Sequence, residues 1–362
     1  MRWFKLSEEG WTYAKSGVDV SKVRKIHKSI AELLAKTHEQ RKGKLGEVLS
    51  RIGHYAGLID IGGGRALALH ADGVGTKVLV AQLMDKYDTV GIDCVAMNVN
   101  DLVCMGAEPI ALVDYLVVEK PDEEMVAEIM EGLAKGAELA GVAIVGGETA
   151  VMPDVVKGEV AGRGFDLAAL SVGMVEVDKV LTGSAMRPGD AVVGVASNGI
   201  HSNGLTLARK VLLSEERTVD DTLPELSCSI GEELLKPTYI YVRPTLEALR
   251  NLDVHGVAHI TGGAFTKLRR FEDYVKVGFK LDALPEPPGV FKAIMRLGKV
   301  AWEEMYRTFN MGVGLCLMVP SEAVDDVITL YERHGFKAWR VGEVVKEPGV
   351  WVKPPGHRLI NI

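Results

Sequence analysis

Four times in this chain a short apolar run ends in a glycine-rich polar stretch. Residues 66–71 (ALALHA) run into DGVGTK at 72–77, and 143–145 (AIV) into GGETA at 146–150. Residues 191–196 (AVVGVA) run into SNGIHSNG at 197–204, and 254–260 into HITGG at 259–263. Short apolar runs bounded by turn residues read as buried strands. Strands of this kind alternating with helical stretches give an α/β or α+β architecture. The same device gathers carboxylates, hydroxyls, a lysine and histidines at strand ends.

The first of these stretches suits a metal–phosphate site. Asp72 can take a hard cation through oxygen. Gly73 and Gly75 let backbone N–H groups approach an anion, Thr76 adds a hydroxyl, and Lys77 adds a point charge. A tight turn with solvated charges accounts for the same residues. The apolar helix expected over 88–105 carries Asp93, Asn98, Asn100 and Asp101, and buried polar groups of this kind need partners. Asn98 and Asp101, three apart, share a face; they ligate, or they cap neighbouring loops. Glu148 is a second metal ligand or the cap of the next segment. Ser202, Asn203, Gly204 and His201 cluster at the start of a helix running to 213, where free N–H groups stabilise an anion; plain capping by Ser202 or Asn203 is the alternative. His259 by itself reads as a core histidine.

At 362 residues the chain exceeds one hydrophobic core. A PGD turn at 188–190 puts the junction just before it, giving domains 1–177 and 178–362. The first combines strands at 66–71, 109–118, 143–145 and 166–177 with helices over 21–36 (N-cap Ser21), 88–105 and 122–139. Residues 52–58 and 61–64 read as paired turns. The second alternates strands and helices as an α+β sandwich, with one long helix over 289–307 and another over 321–334 capped by Ser321. Neither a G-x-G-x-x-G fingerprint opening a helix nor a P-loop string is present. A net charge of −7 argues against a broad nucleic-acid surface, so an anionic substrate needs local cations, amides or metals. Four scattered cysteines, no apolar run of membrane-spanning length and no leader-like start lead to the expectation of a cytoplasmic protein.

DGVGTK at 72–77, GIDCVAMNVNDLV at 91–103, GAEP at 106–109, GGETAVMP at 146–153, GIHSNG at 199–204, HITGG at 259–263 and RTFNMGVGL at 307–315 occur in one order. In this the chain closely resembles the phosphoribosylformylglycinamidine cyclo-ligase (AIR synthetase) family of de novo purine synthesis. The resemblance implies a two-domain AIR-synthetase-like fold: an N-terminal mixed sheet with helices, then a C-terminal α+β sandwich. It also implies a homodimer joined through the N-terminal sheets, and ATP-dependent closure of formylglycinamidine ribonucleotide through a phosphorylated imidate. Carried onto these residues, Asp72, Asp101 and Glu148 would hold Mg²⁺. Gly73, Gly75, Thr76 and Lys77, with Asn98 or Asn100, would serve ATP. Ser202, Asn203, Gly204, Thr261 and Gly262 would bind substrate, and His201, His259 and Asp72 are the candidates for catalysis. Where the family often has IGGFGGL this chain has IGHYAGL at 52–58, with His54 and Tyr55. Val151 replaces a usual glutamate, His70 precedes the DGVGTK turn, and Lys15 is displaced by one position. Another ATP-dependent member of the superfamily, or a non-catalytic nucleotide-binding dimer, are the alternatives.

Overall fold

The computed structural model describes residues 10–362. The first helix, α1 (Val20–Leu34), starts one residue before Ser21, so Ser21 lies inside its first turn. The apolar positions Val23, Ile26, Ile30, Leu33 and Leu34 have helical spacing, yet all five remain exposed. A hairpin comes next: β1 (Gly57–Gly62) pairs antiparallel with β2 (Arg65–Gly73). Residues 57–62 are therefore a strand where glycines suggested turns. Pairing with β2 imposes the extended form, and the reversal falls on Gly62–Gly64, where φ is 79°, 63° and 72°.

Then come α2 (Val78–Met84), α3 (Val90–Val103), β3 (Glu108–Val118), α4 (Glu123–Ala140), β4 (Ala143–Val151) and β5 (Phe165–Glu176). The sheet order is β1-β2-β5-β3-β4, with β3 and β4 parallel and joined through α4. Asp122 caps α4 by accepting from Met125 N–H at 3.0 Å, and Gly141 ends it at φ 74°. Helices α3 and α4 touch through glycine. A Cβ on Gly91 would lie 2.2 Å from Leu133 N, and one on Gly132 2.3 Å from Asp88 O. Along β5 every second residue, from Phe165 to Val175, faces this helical layer, and the alternate positions face outward. That outer face leaves Val113, Tyr115, Leu170 and Met174 exposed. The GGETA stretch forms no strand-end turn: all of it lies within β4.

Residues 177–190 lead to the second sheet. It comprises β6 (Ala191–Ala196), β7 (Gly256–His259), β8 (Gly278–Leu281), β9 (Val313–Val319), β10 (Ala338–Val345), β11 (Gly349–Val352) and β12 (Ile360–Asn361). The order is β12-β11-β8-β10-β6-β9-β7. Every residue of β9 is buried, as expected of a strand covered on both faces. The helices are α5 (Leu205–Leu212), α6 (Ile230–Leu235), α7 (Val242–Asn251), α8 (Gly289–Gly298), α9 (Trp302–Thr308) and α10 (Val324–Arg333). The long helix expected over 289–307 is broken at Lys299, which adopts φ 48°. Ser321 does not cap α10: its hydroxyl donates to Gly189 O at 2.9 Å. Ahead of α1, the chain lies on the second half, with Trp11 N–H donating to Gly298 O and Tyr13 N–H to Glu304 Oε1. Among the described residues no helix is long and apolar enough to cross a membrane.

Candidate active site between the two sheets

Helix α3 is the spine between the two halves. Its polar residues are buried, and each is committed. Near its start Asp93 accepts from Thr238 N–H at 2.7 Å and Thr238 hydroxyl at 2.5 Å. The other Asp93 oxygen pairs with Lys77 Nζ at 2.7 Å, both side chains being fully buried. Lys77 also donates to Lys236 O at 2.6 Å. The lysine of the DGVGTK turn thus points away from the opening and holds residues 236–238 against α3. Asn98 donates to Asp72 O at 3.0 Å and to Cys94 O at 2.9 Å. Asn100 donates to Tyr239 O and accepts from Tyr241 N–H. Both asparagines position backbone in this structure, Asn98 the strand end at Asp72 and Asn100 the segment leading into α7.

Asp101, one residue further along α3, is buried against His70, His259 and Lys267. His259 Nδ1–H donates to its Oδ1 at 2.8 Å. Its Oδ2 lies 3.6 Å from His70 Nε2 and 3.9 Å from Lys267 Nζ. Burial alone would raise this carboxylate. The Lys267 ammonium, the His259 hydrogen bond and His70 together hold it well below the usual range. His70 reaches the second carboxylate too, with Nε2 3.9 Å from Asp72 Oδ2. The Asp72 side chain is 41% exposed, and Oδ1 accepts from Gly73 N–H at 2.8 Å. Desolvation and then the charge of Asp101 push Asp72 upward. Two carboxylates with opposite shifts therefore stand beside one imidazole.

Gly75 (φ 67°) and Thr76 carry the turn across to the second half. Thr76 Oγ1 and Thr206 Oγ1 are 3.0 Å apart, and the Gly75 Cβ position lies 4.0 Å from Ser202 O. The DGVGTK turn thus meets the GIHSNG loop and the start of the helix it opens, Thr76 and Thr206 being 130 residues apart. Asn310 braces that loop by donating to Gly199 O and Ile200 O and accepting from Ser197 hydroxyl at 2.8 Å. His201, at φ 65° and 1% exposure, accepts at Nε2 from Asn198 N–H. Burial, then His259 and Lys77, drive its pKa well down. Its Nδ1 and the Ser202 hydroxyl are buried without a partner among the described residues. Asn203 Nδ2 lies 3.8 Å from Met97 Sδ, and Gly204 (φ 81°) leaves room that Phe309 fills. His201 and His259 are both sealed from the opening; His259 acts on the site through Asp101.

Glu148 stands elsewhere. Register aligns Asp72 with Ala169, Asp114 and Gly147 across β2, β5, β3 and β4. Glu148 is one residue on, so strand alternation turns it to the outer face. It is exposed there, three strand spacings or roughly 14 Å from the line of Asp72. Among the described residues no three His, Cys, Asp or Glu side chains form a metal-holding group. The Asp72–Asp101 pair alone still fits Mg²⁺, which takes one or two carboxylates and fills its remaining positions with water and phosphate.

Beyond the HITGG turn, where the glycine pair leads into a helix, residues 264–273 form a 3-10 helix whose cations sequence reasoning passes over. Lys267 from it donates to Thr261 Oγ1, and Lys267 and Arg270 lie 5.6 and 4.7 Å from the Tyr55 ring centroid. These two cations, with Gly262 and Gly263, line a cleft of about 520 Å³ closed by Tyr13 and Val18. The signal lies in the KLRR run at 267–270, three cations in four residues soon after a glycine pair. Tyr55 is fully buried, and His54 Nδ1 accepts from Tyr55 N–H at 2.8 Å; both line a neighbouring cavity that also reaches His70.

A two-sheet α/β protein in which a strand-end carboxylate, Asp72, a helix carboxylate, Asp101, and glycine loops converge between its halves defines a class that handles anionic, phosphate-bearing ligands. The chain belongs to the AIR synthase related protein family. The N-terminal domain model of that family matches residues 53–175, and the C-terminal domain model residues 187–353. The chain is 50% identical to the phosphoribosylformylglycinamidine cyclo-ligase of Thermococcus kodakarensis, over 96% of this chain and 99% of that protein. The same identity and coverage hold for the enzyme of that name from Pyrococcus furiosus. A thiamine-monophosphate kinase structure from Stenotrophomonas maltophilia shares the fold, with a TM-score of 0.60 at 20% identity over 88% of this chain and 94% of that one.

Proposed function

We infer that this chain closes the imidazole ring of purine precursors: formylglycinamidine ribonucleotide and ATP give 5-aminoimidazole ribonucleotide, ADP and phosphate. The observation that carries the reading is the Asp72–Asp101 pair, flanked by His70 and Lys267, in a chain half identical throughout its length to cyclo-ligases. In the reaction the formyl oxygen accepts the phosphoryl group. The ribosyl-bearing nitrogen then forms the C–N bond at the formyl carbon, the C–O bond breaks, and that oxygen leaves within phosphate.

Phosphoryl transfer asks the protein chiefly for position and opposing charge. Asp72 and Asp101 would hold Mg²⁺, which when bound draws charge from phosphate oxygens. His259 fixes the rotamer of Asp101, and Asn98 fixes the carbonyl of Asp72. The Gly73 and Gly75 region offers backbone to ATP. The Ser202 hydroxyl, buried without a partner among the described residues, supports a substrate phosphate at Ser202–Gly204, with Thr261 and Gly262 across the cleft.

We also propose a homodimer. The outer face of the first sheet presents Ile110, Val113, Tyr115, Val145, Leu170 and Met174, a contiguous apolar surface of the kind that pairs. Glu148 shares that face and would enter the site only through such an assembly. Sedimentation of the wild type should give twice 39.2 kDa, and Val113→Glu should halve it. For the activity, aminoimidazole and ADP should appear in equal amounts; ADP without aminoimidazole would mark another acceptor.

A further inference from the structure

The family sequence pattern offers one lysine at the strand-end turn, Lys77, and the structure buries it. Its Nζ is held by Asp93 and Lys236 O, and none of its surface is exposed. The cation that faces the carboxylates comes from the other half of the chain. Lys267 Nζ lies 3.9 Å from Asp101 Oδ2, donates to Thr261 Oγ1, and lines the cleft. Its side chain is 10% exposed, enough to touch a ligand and too little to be a solvated surface charge. Arg270 lies 4.7 Å from the centroid of the same Tyr55 ring, so the cleft wall carries a second cation beside Lys267.

We propose that Lys267 is a catalytic residue, contacting the phosphoryl group that passes from ATP to the substrate. This rests on the ring-closure reading above. An oxygen bound to a cation on Asp72 and Asp101 lies within reach of an ammonium that already stands against Asp101. That geometry selects the metal-bearing phosphates of ATP over the substrate's own ribose phosphate. The contribution of Lys267 comes from an ammonium placed against Asp101, facing the charge that builds on the phosphoryl oxygens in the transition state. The bond that breaks is between the terminal phosphorus of ATP and its bridging oxygen; the bond that forms joins that phosphorus to the formyl oxygen. Lys267 stabilises both without exchanging a proton. Lys77 is by contrast a structural residue.

Labelling of the wild-type protein reads this directly. Pyridoxal phosphate followed by borohydride should modify Lys267, Mg·ATP should slow that modification at least tenfold, and Lys77 should stay unmodified. Absence of label at Lys267, label there that ATP does not slow, or label at Lys77 would overturn the assignment. In turnover, Lys267→Met should lower kcat by about 100- to 1000-fold, the loss typical of one preorganised donor. The KM values should hold within about threefold, and Lys267→Arg should recover part of the loss. A rise in KM for formylglycinamidine ribonucleotide at unchanged kcat would assign Lys267 to the ribose phosphate and overturn the proposal. So would wild-type turnover in the methionine variant. If wild-type protein makes no aminoimidazole, the ring-closure reading fails instead, while ATP protection of Lys267 still reports on the lysine.

Discussion

Replacing Lys77 by methionine keeps the length of the side chain and deletes the ammonium. The Asp93 carboxylate then remains in a fully buried site with only Thr238 N–H and hydroxyl on one of its oxygens. Its other oxygen, and Lys236 O, lose the donor. Removing one partner of a buried ion pair costs about 3–5 kcal/mol, because the remaining charge is stranded away from water. That is roughly two to four orders of magnitude in the folded-to-unfolded ratio. Near the midpoint an unfolding entropy of about 2.1 cal/mol/K per residue gives about 0.76 kcal/mol/K for the whole chain, so the midpoint should fall by about 4–7 °C. Scanning calorimetry measures this, with urea unfolding as a second probe. Lys77→Met/Asp93→Asn should recover part of the loss, because the amide keeps the bond from Thr238 while the stranded charge is gone. A loss below about 1 kcal/mol, accompanied by a tenfold rise in the KM for ATP, would refute the reasoning: Lys77 would then serve the nucleotide and not the joint.

The same geometry sets three further outcomes. His259→Phe should lower kcat without moving the KM for ATP by more than about threefold, since the ring acts through Asp101 and touches no ligand; initial-rate kinetics decide. Burial and the nearby Arg270 push His54 down to about 4 from an ordinary 6.5. The unfolded chain therefore binds more protons between those values, so stability is complete above about pH 6.5 and falls as the pH drops towards 4, by at most about 3 kcal/mol. Unfolding free energies across that window should have a shallower slope in His54→Phe, and an identical slope would contradict the assignment. Gly132→Ala places a methyl group 2.3 Å from Asp88 O and should destabilise by about 1–3 kcal/mol, whereas Gly141→Ala meets no neighbouring atom and is disfavoured only by its φ of 74°. Thermal melts of the pair separate crowding from backbone conformation.

Much of this is legible in the residues. Periodicity and the stop at Gly141 mark the helices α3 and α4, and apolar runs mark β3 and β9. The departures have identifiable reasons. Gly57–Gly62 is too glycine-rich to declare itself, and becomes a strand only because β2 lies beside it. GGETA reads as a turn because its glycines carry no pattern, yet β3 pairs with it throughout. Lys77 reads as a ligand because sequence shows that a lysine is present and not where its ammonium points. Only packing reveals the distant partner, Asp93, and the receiving carbonyl of Lys236. Motif groups Glu148 with Asp72 and Asp101, and strand alternation puts it on the opposite face. Lys267 escapes notice for the converse reason: the KLRR run shows only that cations cluster there, and the meaning of Lys267 comes from Asp101 on α3, far earlier in the chain.

The most direct test of the account traces the formyl oxygen. Substrate carrying ¹⁸O in the formyl group, incubated with the protein, ATP and Mg²⁺, should yield inorganic phosphate containing one ¹⁸O for every aminoimidazole formed. Ring closure with unlabelled phosphate would mean that ATP does not activate that oxygen, and the roles given to Asp72, Asp101 and Lys267 would fall with it.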